Sequence, residues 1–174
     1  YNSAADDAIS ATTVESGPAT STNTTYSNPG SSMSYLWYYQ TLLSKGYHLG
    51  PTIDHDNHNT TFGKTTFSRT AVVSPSITKA AMYSALRNMN FYATQDCDTK
   101  VDFTINTRIM GSIFTDRNGP VIAVNLTDPT NSLSGAIIRI MYGVPGSGVL
   151  AVKIDSAIGA ALSFTHTALQ NFTT

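Results

Sequence analysis

The chain has 174 residues, enough for one ordinary domain or two small ones, and its 41% hydrophobic content supports a packed core and excludes a disordered chain. Only 12% of the residues are charged, well below the roughly 25% of a typical soluble domain, and Ser, Thr, Asn and Gly replace them, as on many secreted β-rich proteins. The net charge of −1, with scattered Lys and Arg, argues against a nucleic-acid-binding protein, and no apolar stretch approaches the ~18 residues of a membrane span.

The first third of the chain predicts one helix followed by one buried strand. The polar N-terminal stretch holds at most a short strand at Ala11–Glu15. Apolar residues recur at helical spacing over Met33–Lys45, and Gly46 is expected to end that helix in the left-handed conformation. Tyr47–Ile53 is then predicted to form a buried strand, interrupted at Pro51.

The next segment predicts a helix between two short strands. The helix is expected over Ile77–Met89, with Ser76 as its N-cap. The strands are expected at Ala71–Val73 and Phe91–Ala93. This order of elements indicates an α/β segment over residues 1–97.

After Asp98 the hydrophobic period changes from 3.6 to 2, which predicts an all-β module over residues 98–174. The expected strands are Val101–Ile105, Ile109–Phe114, Val121–Leu126, Ile137–Tyr142, Val149–Ile154 and Ala161–Phe164. Short strands with turns every ~8–12 residues favour a small β-sandwich. About six strands are fewer than such a sandwich usually has, so an unpaired edge is expected.

A polar run, Asp54-His55-Asp56-Asn57-His58, directly follows the strand predicted to end at Ile53. Asp56 and His58 are two positions apart, so in an extended segment both side chains point to one side and can approach one ion. Carboxylate oxygen and imidazole nitrogen suit Zn, Mn or Fe. The alternative is a polar loop capped by Asp and His, since such a triplet is common by chance.

Other residues could assist such a site, and each has a plainer interpretation. Asp54 could orient His58 by a hydrogen bond, or it could simply be solvated, as we expect for His55. Arg69 could hold a substrate phosphate with its planar guanidinium, or it could pair with a nearby carboxylate.

Four segments in this order resemble the C-terminal part of the PHP superfamily, the polymerase-and-histidinol-phosphatase-like metallohydrolases, and in particular its secreted phosphoesterase-like branch. The segments are Tyr35–Gly46, Ile53–Asn59, Arg69-Thr70 and Ala85–Asp96. The resemblance implies a partial (β/α)7 barrel in residues 1–97, with a trailing β-sandwich. It also implies divalent metals that activate a water against a phosphoester or related ester, with Asp56 and His58 as the last pair of ligands.

The chain departs from that family in its missing ligands. The family's first His-x-His pair and its middle Glu and His ligands are absent, and about 100 α/β residues are too few for a barrel of about 200–250. The expectation is therefore a C-terminal fragment of a secreted metal-dependent hydrolase, inactive alone and completed by a missing N-terminal portion of the same protein.

The alternative function is an extracellular, filament- or adhesion-type assembly subunit that pairs with other copies through an open sandwich edge. Its basis is the low charge, the polar surface and the missing ligands. Both interpretations predict a secreted or cell-surface protein.

The chain also carries candidate glycosylation sites. Asn-x-Thr triplets begin at Asn23, Asn59, Asn125 and Asn171, although an Asn- and Thr-rich chain produces some by chance. Asp155-Ser156-Ala157 resembles an acceptor signal of some bacterial O-glycosylation systems, with Ser156 as the acceptor.

Overall fold

A computed structural model describes residues 35–53, 66–116, 118–167 and 172–173. The short strand predicted at Ala11–Glu15 lies outside these residues. Two helices and ten strands lie within them, so the described part of the chain is mostly β. Neither of these helices is long and apolar enough to cross a bilayer.

Helix α1 spans Tyr35–Ser44, which confirms the first predicted helix. Gly46 follows it at a φ of +94°, as its predicted role in ending the helix requires. The strand predicted over Tyr47–Ile53 is wrong, because those residues form no regular element. The backbone N–H of Tyr47 turns back to the carbonyl of Leu42 (3.1 Å) instead of meeting a strand partner, and Pro51 has no N–H to donate.

Strand β1 (Arg69–Val72), helix α2 (Lys79–Arg87) and strand β2 (Phe91–Thr94) confirm the predicted strand–helix–strand order. The predicted cap is wrong by two residues. The N-cap is Thr78 rather than Ser76, and its side chain accepts a hydrogen bond from the backbone N–H of Ala81 (3.3 Å).

The predicted fold class is wrong, because no partial (β/α)7 barrel is present among the described residues. Strands β1 and β2 form a two-stranded sheet. The backbone N–H of Val73, just after β1, donates to the carbonyl of Asn90, just before β2 (2.8 Å). The end of one strand therefore lies beside the start of the other, and the two run in opposite directions. A (β/α) barrel needs parallel neighbours instead.

The remaining strands of the described part form three further small sheets. Their bounds are β3 (Lys100–Ile105), β4 (Arg108–Ile109), β5 (Thr115–Asp116), β6 (Val121–Thr127), β7 (Ile137–Tyr142), β8 (Val152–Ile158), β9 (Ala161–Thr165) and β10 (Phe172–Thr173). One antiparallel sheet has the strand order β4-β3-β6-β9. The pairs β7-β8 and β5-β10 are not hydrogen-bonded to it and form two separate two-stranded sheets. Within the described residues, the predicted α/β segment followed by a β-sandwich is replaced by small sheets and two helices.

The strands predicted from the two-residue period agree with β3, β6, β7 and β9 within a residue or two. Two predictions fit less well. Strand β8 begins at Val152 rather than Val149. In the segment predicted as a strand over Ile109–Phe114, only Ile109 is in a strand before the chain turns.

The core of this region follows the same alternation. Ile122 and Val124 of β6 and Ile138 and Ile140 of β7 are buried. Partly buried apolar side chains pack around them: Val101, Phe103, Ile105, Leu126, Ile154, Leu162 and Phe164. Because successive side chains of a strand point to opposite faces, one face of each strand enters this core and the other faces outward.

The chain divides into two compact units that alternate along the sequence. The first comprises Tyr1–Thr70, Ala93–Cys97 and Tyr142–Val152. The second comprises Ala71–Tyr92, Asp98–Met141 and Lys153–Thr174. The domain boundary expected between residues 97 and 98 stays a prediction.

Candidate functional site

The predicted metal ligands lie in a segment whose two flanks are described. The predicted ligands Asp56 and His58 fall in residues 54–65, outside the described residues, as does Asp54, which is predicted to orient His58 or to be solvated. The chain is described again up to Ile53 and from Thr66 onward. What the structure adds to the candidate site is therefore the way these two flanks are held.

Thr70 holds the first flank. The backbone N–H of Ile53 donates to the Thr70 hydroxyl (3.0 Å), and that hydroxyl donates to the Ile53 carbonyl (3.0 Å). A hydroxyl has one proton to give and lone pairs to accept with, so both capacities are used on one residue. Ile53 is itself buried, with 6% of its surface exposed. The residue directly before Asp54 is thus fixed by burial and by two hydrogen bonds.

Arg69 holds the second flank. Its Nη1 donates to the carbonyls of Thr66 (2.8 Å) and Ser68 (2.7 Å). These charge-assisted bonds order the backbone where the chain emerges from the 54–65 segment. The phosphate-binding and ion-pair roles predicted for Arg69 both stay predictions. Sequence reasoning singled out Arg69 and Thr70 as a pair, but it did not foresee that both would bond to backbone.

A second polar cluster surrounds Asp128, in the loop after β6. Its carboxylate accepts hydrogen bonds from the Thr99 hydroxyl (2.9 Å) and from the backbone N–H groups of Thr130 (2.9 Å) and Asn131 (2.7 Å). Desolvation acts to raise the pKa of Asp128, but hydrogen bonds from Asn131, Thr99 and Thr130 outweigh it and lower that pKa to about 2. Every bond in the cluster shapes the loop, so we interpret it as structural.

One short run of chain offers three metal-ligating atoms close together. The ligand atoms of Asp96, Cys97 and Asp98 lie within 4.8 Å of one another, and Cys97 is exposed. Exposed acidic groups are common in the absence of an ion, so this run does not replace the predicted ligands.

The second unit contains an open cleft of about 390 Å³ beside α2. Its walls are mostly apolar and come from Val73–Pro75, Ala81, Ser84, Ala85, Asn90 and Ile109. The Asn90 side-chain amide is engaged with the Met110 carbonyl (2.6 Å). The volume suits a small ligand, and none of the described lining residues is titratable.

Two of the candidate glycosylation sites are described, and both are accessible. Asn125 is exposed on β6, and Thr127, two residues on, is exposed on the same face of the strand. Ser156 is exposed on β8. Asn23, Asn59 and Asn171 lie outside the described residues. Modification at all five positions stays a prediction.

Comparison with known proteins does not assign this site. No family model, no curated protein and no solved structure matches the chain. The resemblance to the PHP superfamily therefore stays a prediction that rests on the segments Tyr35–Gly46, Ile53–Asn59, Arg69-Thr70 and Ala85–Asp96.

Proposed function

We propose that the chain is the C-terminal, metal-binding portion of a secreted metal-dependent hydrolase that acts on a phosphoester or related ester. Asp56 and His58 are its metal ligands. The observation that supports this proposal is the pair of hydrogen bonds between Thr70 and Ile53, in which the Ile53 N–H donates to the Thr70 hydroxyl and that hydroxyl donates to the Ile53 carbonyl. A pair of metal ligands needs a fixed backbone to start from. Ile53 provides one, because it directly precedes Asp54, the first acidic residue of the run.

The donor set fits a borderline or moderately hard divalent ion. A carboxylate oxygen and an imidazole nitrogen are ligands that Zn, Mn and Fe accept. Such an ion, when bound, would supply an activated water for ester hydrolysis. A catalytic zinc site usually takes three protein ligands, so further donors must come from outside this pair.

The chain's own residues have separate tasks in this proposal. Thr70 fixes the backbone that leads to Asp54, and Arg69 orders the backbone that leaves the segment at Thr66. The planar, five-donor geometry of a guanidinium suits the anionic oxygens of a phosphoester, which is why the phosphate-binding role predicted for Arg69 is kept in the proposal. With an incomplete ligand set, we expect weak metal binding and no hydrolysis by the chain alone.

Metal binding by single variants tests the proposal. Titration calorimetry with Mn²⁺ or Zn²⁺ is expected to detect weak binding that Asp56→Asn and His58→Gln each reduce at least about tenfold. His55→Gln is the matched control, because it removes an adjacent imidazole that we expect to be solvated. Equal losses in His55→Gln and His58→Gln, or binding that survives Asp56→Asn with His58→Gln, would contradict the ligand assignment.

A further inference from the structure

Strand β9 (Ala161–Thr165) is an edge strand of the four-stranded sheet. It pairs antiparallel with β6 along its whole length, from Thr165 opposite Val121 to Ala161 opposite Asn125. Among the described residues, no strand lies on its other side. The polar backbone groups on that side are therefore available to another chain.

Two hydrogen bonds show which residues of β9 face the free side. The carbonyl of Ala160 accepts from the backbone N–H of Leu126 (2.7 Å), and the backbone N–H of His166 donates to the carbonyl of Pro120 (2.9 Å). Backbone polar groups alternate sides along a strand, so the even-numbered residues bond toward β6. The N–H and C=O groups of Ala161, Ser163 and Thr165 consequently point away from the sheet.

This edge lacks the usual features that prevent pairing. Natural edges are protected by charged side chains, proline, bulges or short length. At the opposite edge of the same sheet, β4 is only two residues long and begins with Arg108. Strands β7 and β8 carry charge at Arg139, Lys153 and Asp155. By contrast, the five residues of β9 include no charged residue, no proline and no glycine.

The side chains of β9 also allow two copies of this strand to pair antiparallel. Leu162 and Phe164 are partly buried and pack against the core on the inner face. Ala161, Ser163 and Thr165 are exposed on the outer face. Reversing the strand about Ser163 keeps apolar residues opposite apolar residues and small polar residues opposite small polar residues. No like charges meet in such a pair.

We infer that two copies of this chain pair through β9, antiparallel, about a two-fold axis at Ser163. Ser163 then lies opposite the partner's Ser163, and Ala161 lies opposite the partner's Thr165, each pair exchanging backbone hydrogen bonds. Leu162 faces the partner's Phe164 and extends the apolar face that includes Ile122 and Val124. A two-fold contact of this kind closes on itself, so it gives a dimer rather than a filament. This inference does not depend on the metal-site proposal.

Two substitutions of Ser163 test the pairing without changing the core. Ser163→Lys places like charges opposite each other at the two-fold axis, and Ser163→Pro removes an N–H that is not bonded to β6. Sedimentation equilibrium is expected to give a dimer for the natural chain and at least about a tenfold weaker dimer for each variant. Asn125→Lys is the matched control, because it adds the same charge on the same face but on the inner strand β6, and it is expected to stay dimeric.

Several results would overturn the pairing. They are a natural chain that is monomeric at several hundred micromolar, variants at Ser163 that dimerise normally, and loss of the dimer in Asn125→Lys. Hydrogen exchange on the natural chain tests the pairing without any variant, so it remains informative if a Ser163 variant fails to fold. The Ser163 and Thr165 amides are expected to exchange slowly at high protein concentration and rapidly on dilution, and rapid exchange at every concentration would reject the model.

Discussion

The hydroxyl of Thr70 lies 3.0 Å from both the amide nitrogen and the carbonyl oxygen of Ile53. One side chain thus holds both polar groups of a buried residue, directly before the acidic run that begins at Asp54. A β-branched side chain has restricted χ1 freedom, so little rotamer entropy is lost in forming this contact. The contact makes Thr70 a positioning residue for the proposed ligand pair.

The first prediction concerns Thr70→Val, which keeps the shape of the side chain and removes its hydroxyl. Both hydrogen bonds to Ile53 are lost, and we expect the free energy of unfolding to fall by about 1–2 kcal/mol. Urea denaturation measures this change. Thr70→Ser is the control, because it retains the hydroxyl and should lose less. Equal losses in the two variants would show that the hydroxyl contact contributes nothing.

The second prediction concerns the turn between β3 and β4. Asn106 and Thr107 have φ values of +50° and +65°, a conformation that Asn tolerates and a β-branched residue does not favour. Asn106 must stay, because its side chain accepts from the Val121 N–H (2.7 Å) and donates to Asp116 (2.9 Å). We expect Thr107→Gly to raise the free energy of unfolding by about 0.5–1 kcal/mol.

Chemical denaturation checks that increase, and Thr127→Gly is its control. Thr127 is exposed on β6, where the φ is not positive, so glycine should only weaken the strand there. A lower stability for Thr107→Gly would mean that its hydroxyl bond to the Asn106 carbonyl (2.6 Å) outweighs the backbone strain.

The third prediction concerns Gly111. A Cβ at this position would overlap the Asn88 carbonyl oxygen and lie 2.6 Å from that of Met89, and the φ of Gly111 is +83°. Gly111→Ala therefore needs the backbone to move, and we expect a loss of about 2–4 kcal/mol in thermal or urea unfolding. Gly135→Ala is the matched control, since its Cβ would meet nothing within 4 Å. A tolerated Gly111→Ala would contradict the close approach of these backbones.

The fourth prediction concerns acid stability. The pKa of Asp128 is lowered from 3.8 to about 2 in the folded protein, because the hydrogen bonds to its carboxylate outweigh the opposing effect of desolvation. A lowered pKa stabilises the fold fully above the unfolded value, and this stabilisation is lost as the pH falls from about 4 to about 2. Asp128→Asn should flatten the fall of the melting temperature in that window. An unchanged slope in Asp128→Asn would reject this assignment.

The sequence predicted best where local pattern and packing agree. The alternation around Ile122 and Val124 identified β6 because each inward position is apolar and each outward position is tolerant of water. The predicted strand at Tyr47–Ile53 failed because its backbone groups have other partners: the Tyr47 N–H bonds to Leu42 at the end of α1, and the Ile53 N–H and C=O bond to Thr70. Hydrophobic periodicity encodes neither contact. The barrel prediction failed for a related reason. A barrel needs parallel strands, and whether β1 and β2 run parallel depends on where the chain returns after α2, which local sequence does not determine.

At the candidate site, too, the local pattern was readable from the sequence and the tertiary contact was not. The residue types in the 54–58 run indicate metal chemistry by themselves, whereas the Thr70 contact with Ile53 joins residues seventeen positions apart. The sequence singled out Thr70 only as part of the Arg69-Thr70 segment, and no local signal indicated that its hydroxyl would bond to Ile53. Only the fold brings the two together.

Paramagnetic broadening by Mn²⁺ in an amide ¹H–¹⁵N spectrum tests the proposed metal site most directly. We predict that the signals of Ile53, Thr66 and Thr70 broaden at low Mn²⁺ concentration in the natural chain and in His55→Gln. The broadening should disappear in the Asp56→Asn, His58→Gln double variant. Broadening centred on Asp96–Asp98 instead, or broadening at Ile53 that persists in the double variant, would contradict the assignment of Asp56 and His58 as metal ligands.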